Sequence, residues 1–275
     1  MPIDTSSYYP EINDPEGREK SNSLNGLHSS LFGDKPSVKE EPIKEEVSTA
    51  MGPENEEQVP NKKQVPEEKY ERIFTICSHI LSWVLSPLLV PIYAILFIFR
   101  LSVLDVIPSG LQTAFTFIIA GINLCVPALL ILLLKFLGVV SDLGLNERKE
   151  RPIPYVITAL CYGATAWFLA SRGAPIWVSM FFTGGAAAAL INFAINYKWK
   201  ISAHAAAMAG LIALLIRLER DVAVEPKLVV WLLITIGATG LLGSARIWLG
   251  RHTLGQVLAG YLVGFCSVFF FMYIH

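Results

Sequence analysis

Seven long apolar stretches dominate the chain after residue 72. Most of them reach the roughly 20 residues that a helix needs to cross the hydrocarbon core of a bilayer. An unpaired backbone polar group is costly in lipid, so such stretches cross it as helices. The sequence therefore predicts an all-α fold, a polytopic transmembrane bundle of about six or seven helices in an integral membrane protein. The stretches cover about residues 73–99, 111–134, 153–171, 175–197, 203–218, 227–245 and 253–274.

Charge divides the chain into two unlike parts. Residues 1–72 hold 16 of the 23 acidic and 9 of the 22 basic residues, whereas residues 73–275 hold 7 acidic and 13 basic residues. The first part is rich in Glu, Lys, Pro and Ser, so it cannot bury enough apolar surface to offset its chain entropy. We predict a disordered acidic tail over residues 1–72 and a transmembrane domain over residues 73–275.

Small residues, prolines and cysteines inside the apolar stretches predict details of the packing. The run GGAAAA at 184–189 and the series Gly237, Gly240 and Gly243 predict close approach of helix backbones. Prolines inside apolar runs predict kinks or half-helices. The cysteines have neither zinc-site nor disulfide spacing and are predicted to be small core residues. The prolines are Pro87, Pro91 and Pro127, and the cysteines are Cys77, Cys125, Cys161 and Cys266.

Three polar loops are predicted to share one face of the membrane. They are SDLGLNERKERP (141–152), NYKWKISAH (196–204) and ARIWLGRH (245–252), and two crossings separate each from the next. Basic residues gather in loops simply to set topology, which accounts for the lysines and arginines of this face. Topology does not account for His204 and His252.

Both histidines precede or open apolar helices, where free backbone N–H groups and the helix dipole favour an anion. Arginine and lysine from neighbouring loops would complete a phosphate site through charge-assisted hydrogen bonds. Gln256 lies one turn after His252, and its carbonyl can accept the imidazole N–H and hold the tautomer. His252 would then attack phosphorus while His204 protonates the leaving oxygen.

Acidic residues are sparse in these loops. Asp142, Glu147 and Glu150 lie close together in one loop and are mixed with bases. A two-metal phosphatase would use several converging carboxylates. We therefore favour metal-free transfer through a phosphohistidine, with no metal site, no cofactor and no nucleic-acid partner.

The same residues resemble the three signatures of the type 2 phosphatidic acid phosphatase superfamily. The members of this superfamily are membrane lipid phosphatases. The third signature, S-R-x5-H-x3-D, resembles ARIWLGRHTLGQ, with Arg246 and His252 at the matching spacing. The second, P-S-G-H, resembles ISAH at 201–204. The first, K-x6-R-P, is matched at its end by Arg151 and Pro152.

This resemblance implies a role for each matched residue. His252 would be the nucleophile and His204 the general acid for the leaving group. Arg151 and Arg246 would clamp the phosphate, and Ser202 would place backbone or hydroxyl donors on it.

Two departures from the signatures affect the expected chemistry. Gly144 occupies the place of the lysine, so Lys149 or Arg148 would have to supply that charge. Gln256 stands where the family has Asp, and glutamine cannot balance the charge of a His252 cation. The stretch HT..QV..G is similar to the dolichyl diphosphatase-like branch, which implies a polyprenyl or other lipid phosphate or diphosphate as substrate.

Two other functions compete with a lipid phosphatase. One is a catalytically silent phospholipid-binding or scaffold protein that keeps the fold, which the changes at 144 and 256 would allow. The other is a transporter with kinked helices and the intramembrane Lys135 on its pathway. The position of Lys135 near a helix end indicates a snorkelling side chain instead. Once the candidate site bases are set aside, four bases stand on the active side against five opposite, so charge bias selects neither side.

Overall fold

The computed structural model describes residues 67–142, 147–220 and 226–274. Residues 1–66 of the predicted tail and Gly144 lie outside the described residues. Residues 67–72, assigned to the tail from the sequence, form the first turns of a helix. Within the described ranges the regular structure is helical throughout, without a strand.

Eight helices follow one another along the described chain. They are α1 Glu67–Val84, α2 Val90–Leu101, α3 Ser109–Phe136, α4 Pro152–Ser171, α5 Ile176–Lys198, α6 Ala203–Leu218, α7 Pro226–Trp248 and α8 Leu254–Tyr273. Helix α3 is formed by two α-helical pieces joined through a π-helical turn. Five spans are long and apolar enough to cross a membrane, namely α3, α5, α7, α8 and Arg148–Ser171, which contains α4. The helices α2 and α6 are shorter and also apolar. The predicted transmembrane helical bundle is therefore confirmed.

The prolines interrupt helices as predicted. The first apolar stretch is broken between α1 and α2, and Pro87 lies in the break. Pro91 stands in the first turn of α2, where a missing N–H costs nothing. Pro127 directly follows the π-helical turn Gly121–Cys125 within α3. The wider π-helical turn accommodates the proline, which has no N–H to donate to the helix.

Glycines bring α5, α6 and α8 into backbone contact. A Cβ on Gly184 of α5 would lie 2.7 Å from the Cα of Val268 on α8. A Cβ on Gly264 of α8 would collide with the backbone of Ala206 on α6. The predicted packing role of the GGAAAA run is confirmed at Gly184.

The glycines of α7 behave differently. Gly237 and Gly240 have nothing within 4 Å of an added Cβ, so the packing prediction is wrong for them. Gly243, near the C-terminal end of α7, packs against the Tyr261 hydroxyl. The regular spacing of the three glycines therefore predicted packing correctly for Gly243 but not for the two that face outward.

The four cysteines are free, and Cys161 is buried as predicted. Cys77, Cys125 and Cys266 are exposed, so the core prediction is wrong for these three. In a bundle surrounded by lipid, apolar side chains cover the outer surface as well as the core. An apolar run alone does not distinguish the two positions.

The three polar loops meet at one end of the bundle, as their parity predicts. Arg148 Nη1 donates to the carbonyl oxygen of Tyr197 at 2.7 Å, which joins the first loop to the end of α5. Arg151 Nη1 donates to the carbonyl oxygen of Ile201 at 3.1 Å. We call this end, formed by residues 147–151, 198–204 and 246–253, the basic face.

Helix α1 packs against α7 near the basic face. Trp248 Nε1 donates to Thr75 Oγ1 at 3.3 Å. Ser78 and Ser82 on α1 are buried, while Trp83 and other apolar side chains of α1 are exposed. The helix thus turns its small polar residues toward the bundle and its apolar residues outward.

Candidate active site

A cavity of about 600 Å³ lies among the helices beside the basic face. Its deeper wall is apolar or small, with Tyr162, Phe181, Gly185 and Val268. Toward the basic face the wall carries polar and charged side chains. These are His79, Ser82, Lys135, Asp142, Arg151, Asn192, His204, Arg246, Arg251 and His252.

The turn after α7 places His252 over Arg246. Gly250 adopts φ 63°, the left-handed conformation that commonly ends a helix. The N–H groups of Arg251 and His252 then donate back to the carbonyl oxygen of Arg246, at 3.0 and 3.3 Å. The main chain itself therefore holds the two matched residues of the third signature together.

Gln256 holds the His252 imidazole from the first turn of α8. Its Oε1 lies 3.1 Å from His252 Nδ1 and also accepts the Thr253 N–H at 3.3 Å. Thr253 Oγ1 accepts the Gln256 N–H in return, which completes a capping box. A carbonyl oxygen can only accept, so Nδ1 carries the proton and the lone pair lies on Nε2.

The surroundings of His252 favour its neutral form. Burial is the largest cause, and the cations Arg151 and Arg246 add to it, so the pKa of His252 falls to about 3. Gln256 and Lys200 act in opposite directions, Gln256 raising this pKa and Lys200 lowering it. The imidazole is therefore uncharged at neutral pH.

Arg246 is a buried cation with an unused donor. It is 8% exposed, and its Nε has no hydrogen-bond partner among the described residues. Arg151 is buried to a similar degree on the same cavity. Burying a guanidinium is costly unless an anion offsets its desolvation.

Lys200 and Arg251 extend this positive region beyond the predicted residues. Burial lowers the pKa of Lys200, followed by the nearby charges of Arg151, Arg246 and Arg251. We call these four residues the cationic cluster. Lys200 directly precedes the ISAH stretch, but in the sequence it was counted only among the loop charges. Arg251 lines the cavity, so it is more than a charge at the membrane face.

His204 enters the cavity from the first turn of α6 and is held by α1. Its Nε2 lies 3.2 Å from the carbonyl oxygen of Ser82. Nε2 must therefore carry the proton of that hydrogen bond, which leaves the lone pair on Nδ1. No side-chain pattern in the sequence could have revealed a partner that is a main-chain oxygen.

Ser202 lies outside the cavity wall and ties the loops together. It is fully buried, its Oγ accepts the Ala205 N–H at 3.3 Å as the cap of α6, and its own N–H donates to the carbonyl oxygen of Gln256 at 3.3 Å. Both groups that were predicted to reach the phosphate thus have intramolecular roles. The contact joins the second signature to the third.

The two bases proposed to replace the missing lysine occupy other positions. Lys149 is exposed and does not line the cavity. Arg148 donates to the main chain at the end of α5, and Asn196 Nδ2 donates to the Arg148 carbonyl oxygen at 3.0 Å. Lys200 is the lysine that stands beside the two buried arginines.

Across the part of the chain that the structure describes, no three His, Cys, Asp or Glu side chains gather closely enough to hold a metal ion. Asp142 is the acidic residue on the described cavity wall. The donor set of the cavity is thus made mainly of cationic and neutral nitrogen groups. Such groups suit an anionic ligand.

Comparison with known proteins supports the superfamily indicated by the signatures. Residues 176–275 match the family model of the PAP2 superfamily. The matched segment contains His204, Arg246, His252 and Gln256, while Arg151 precedes it. No curated protein and no solved structure matches the chain. The segment is thus similar to a superfamily of phosphatases, in a chain built as a membrane-embedded helical bundle.

Proposed function

We propose that this protein is an integral-membrane phosphatase that hydrolyses a lipid or polyprenyl phosphate or diphosphate through a phosphohistidine, without a metal ion. The observation that carries the proposal is the buried Arg246, whose Nε has no hydrogen-bond partner among the described residues and whose main chain is hydrogen-bonded to the neutral His252. A phosphate group would satisfy the guanidinium and stand beside the nucleophile. The similarity of residues 176–275 to the PAP2 superfamily supports the same reaction class.

The first step transfers the phosphoryl group to His252. The Nε2 lone pair attacks phosphorus, a P–N bond forms and the P–O bond to the lipid breaks. His204, protonated on Nδ1 when the anionic substrate binds, gives that proton to the leaving oxygen. Arg151 and Arg246 stabilise the charge on the non-bridging oxygens.

The second step releases inorganic phosphate. Neutral His204 takes a proton from a water molecule that attacks phosphorus, the P–N bond breaks and Nε2 recovers its lone pair. Gln256 keeps the Nδ1 proton in place throughout but carries no charge to balance the phosphorylated imidazole. The apolar depth of the cavity receives the lipid chain, which favours a lipid over a soluble ester.

Phosphate release by the purified protein tests this function. The substrates are phosphatidate, phosphatidylglycerophosphate and a polyprenyl diphosphate, each with and without a chelator. We expect chelator-resistant release that is lost in His252→Ala and reduced at least about a hundredfold in Arg246→Ala, the loss of a phosphate clamp. Arg172→Ala, at the opposite end of the bundle, is the matched control and should retain activity.

A covalent intermediate gives an independent readout. Brief exposure to a substrate labelled in its phosphate should leave acid-labile, base-stable label on the wild type and none on His252→Ala. Equal phosphate release by the wild type and His252→Ala would contradict the mechanism. Lipid phosphate binding without release by the wild type would indicate the silent binding protein that the Gln256 change allows.

A further inference from the structure

Asn192 is a buried polar residue on the cavity wall with no part in the reaction described above. It lies on α5, is 3% exposed, and its Oδ1 has no hydrogen-bond partner among the described residues. Its cavity-lining neighbours toward the start of the helix are Ala189, Ala188 and Gly185. An amide in such an apolar helix is costly to bury unless something satisfies it.

Ser82 is a second such residue, contributed by α1. It is 6% exposed, it lines the same cavity, and its Oγ also lacks a partner in the described structure. Its carbonyl oxygen is the group that holds His204. The Ser82 side chain therefore stands close to the residue proposed to protonate the leaving oxygen.

Helix packing places Asn192 at nearly the same depth as His204. Gly184 of α5 and Gly210 of α6 both pack against Val268 of α8, which sets a common level. Asn192 follows Gly184 by eight residues, about 12 Å toward the basic face at 1.5 Å per residue. His204 precedes Gly210 by six residues, about 9 Å toward the same face. The two residues thus differ by about 3 Å along the bundle.

The charge of these groups differs from that of the phosphate site. The cationic cluster lies toward the basic face, whereas Asn192 and Ser82 are uncharged and can both donate and accept hydrogen bonds. A second phosphate would call for further cations, because neutral groups do not offset its charge. A substrate hydroxyl can donate to Asn192 Oδ1, and an ester carbonyl can accept from the Ser82 hydroxyl, so both groups can be satisfied without a charge.

From these contacts we infer a neutral subsite, formed by Asn192 and Ser82, that binds the uncharged oxygen atoms next to the scissile phosphate ester. The inference rests on the proposed function. It assigns to the two residues the part of the substrate that stays with the lipid after the P–O bond breaks. Substrates with a hydroxyl or ester group beside the phosphate would be preferred over those with a plain hydrocarbon there.

Two matched substrates test the subsite. Lysophosphatidate with a sixteen-carbon acyl chain carries a hydroxyl and an ester near its phosphate, whereas hexadecyl phosphate has a similar chain and neither group. We expect Asn192→Leu and Ser82→Ala each to lower kcat/KM for lysophosphatidate by about tenfold or more, the effect of one buried hydrogen bond. Their kcat/KM for hexadecyl phosphate should change less than about threefold. Ser179→Ala, which removes a buried, unpartnered hydroxyl on α5 away from the cavity, should change neither value.

Binding separates this inference from the proposed reaction. In His252→Ala, lysophosphatidate should bind at least about tenfold more tightly than hexadecyl phosphate, and Asn192→Leu in the same background should abolish the difference. Equal losses for both substrates, or no loss for either, would overturn the subsite even if phosphate release is confirmed. A binding preference that depends on Asn192 would support it even if the wild type releases no phosphate.

Discussion

At the scale of single residues, Gln256 controls the chemistry of His252. Its Oε1 accepts a hydrogen bond from the Nδ1–H group of His252, which leaves the lone pair on Nε2. It adds no negative charge to a site that already contains the cationic cluster. A carboxylate at the same position would hold the same tautomer and stabilise the imidazolium as well. The residue therefore sets the orientation of the proposed nucleophile and leaves its cationic form without a balancing charge.

We expect Gln256→Leu to lower kcat/KM by about two to four orders of magnitude, because nothing then holds the tautomer. The loss of the capping box should also cost about 1 kcal/mol of the free energy of unfolding. Gln256→Glu has the same length and should retain or exceed wild-type kcat. Steady-state phosphate release with thermal unfolding in detergent checks both variants, and wild-type kinetics in Gln256→Leu would contradict the role.

The pH dependence of His252 gives the same variants a second readout. A pKa lowered to about 3 keeps the imidazole neutral as pH falls through 6.5, so its modification by diethyl pyrocarbonate should stay nearly constant from pH 8 to 5. Free N-acetylhistidine in the same solution should lose about tenfold per pH unit below 6.5. In Gln256→Glu the carboxylate raises the pKa of His252, so the decline should begin at a higher pH than in the wild type.

Much of the site follows from sequence spacing, but some contacts do not. The motif places Arg246, His252 and Gln256 close together in the sequence. They also lie close together in the structure, as the motif predicted. Ser202 was predicted to reach the phosphate, and its hydroxyl oxygen also caps α6, a contact that the signature alone did not reveal. Asn192 left no signal, since one amide in an apolar run does not show which wall it faces.

At the scale of elements, close packing of α8 against α6 sets the distance between the two histidines. Gly264 lies against the backbone of Ala206, two residues after His204 on α6. His252 directly precedes Thr253, the N-cap residue of α8. Any outward shift of α8 would therefore move His252, the proposed nucleophile, away from His204, the proposed general acid.

Gly264→Ala tests this packing. The added methyl group meets main-chain atoms that cannot rotate away, so we expect a loss of about 1–3 kcal/mol in stability and a marked loss of activity. Gly237→Ala, in α7 with nothing within 4 Å, is the matched control and should keep or slightly raise the unfolding temperature. Equal unfolding temperatures for the two variants would refute the packing role.

The helices themselves were largely predictable, because apolar runs and prolines are local signals. The break at Pro87 and the turn before Pro127 follow from the missing proline N–H. The outward-facing Gly237 and Gly240 were not predictable, since spacing on one helix does not reveal whether a partner helix lies opposite. The position of α1 beside the site likewise depends on tertiary contacts that carry no sequence pattern.

At the scale of the whole molecule, the two ends of the bundle differ in their charged and titratable residues. The basic face holds the cationic cluster and both histidines, while the opposite end holds Arg220 over the Tyr273 ring at 5.0 Å. A lipid substrate in the bilayer would present its phosphate at the first end and its chain to the apolar cavity. The proposed reaction would then take place on one side of the membrane, because the cationic cluster lies at one end of the spans.

Cysteine labelling in sealed vesicles tests this two-ended arrangement. In a variant whose four native cysteines are replaced by alanine, Lys149→Cys and Lys198→Cys should react with a membrane-impermeant maleimide from one side. Arg172→Cys and Glu219→Cys, at the far ends of α4 and α6, should react from the other side. Labelling of Lys149→Cys and Arg172→Cys from the same side would contradict the topology, and the labelled side identifies the compartment that the site faces.

Main-chain carbonyls accept three of the hydrogen bonds at the basic face. The carbonyl oxygen of Tyr197 accepts from Arg148, that of Ile201 accepts from Arg151, and that of Ser82 accepts from His204. A carbonyl is present whatever side chain the residue bears, so evolutionary drift at the exposed position 197 need not disturb the Arg148 contact. The donating side chain of Arg148 would have to persist, whereas the side chain at position 197 could change without loss of the acceptor. Related chains would then keep the same geometry with few invariant positions, and short signatures would recognise them better than overall identity.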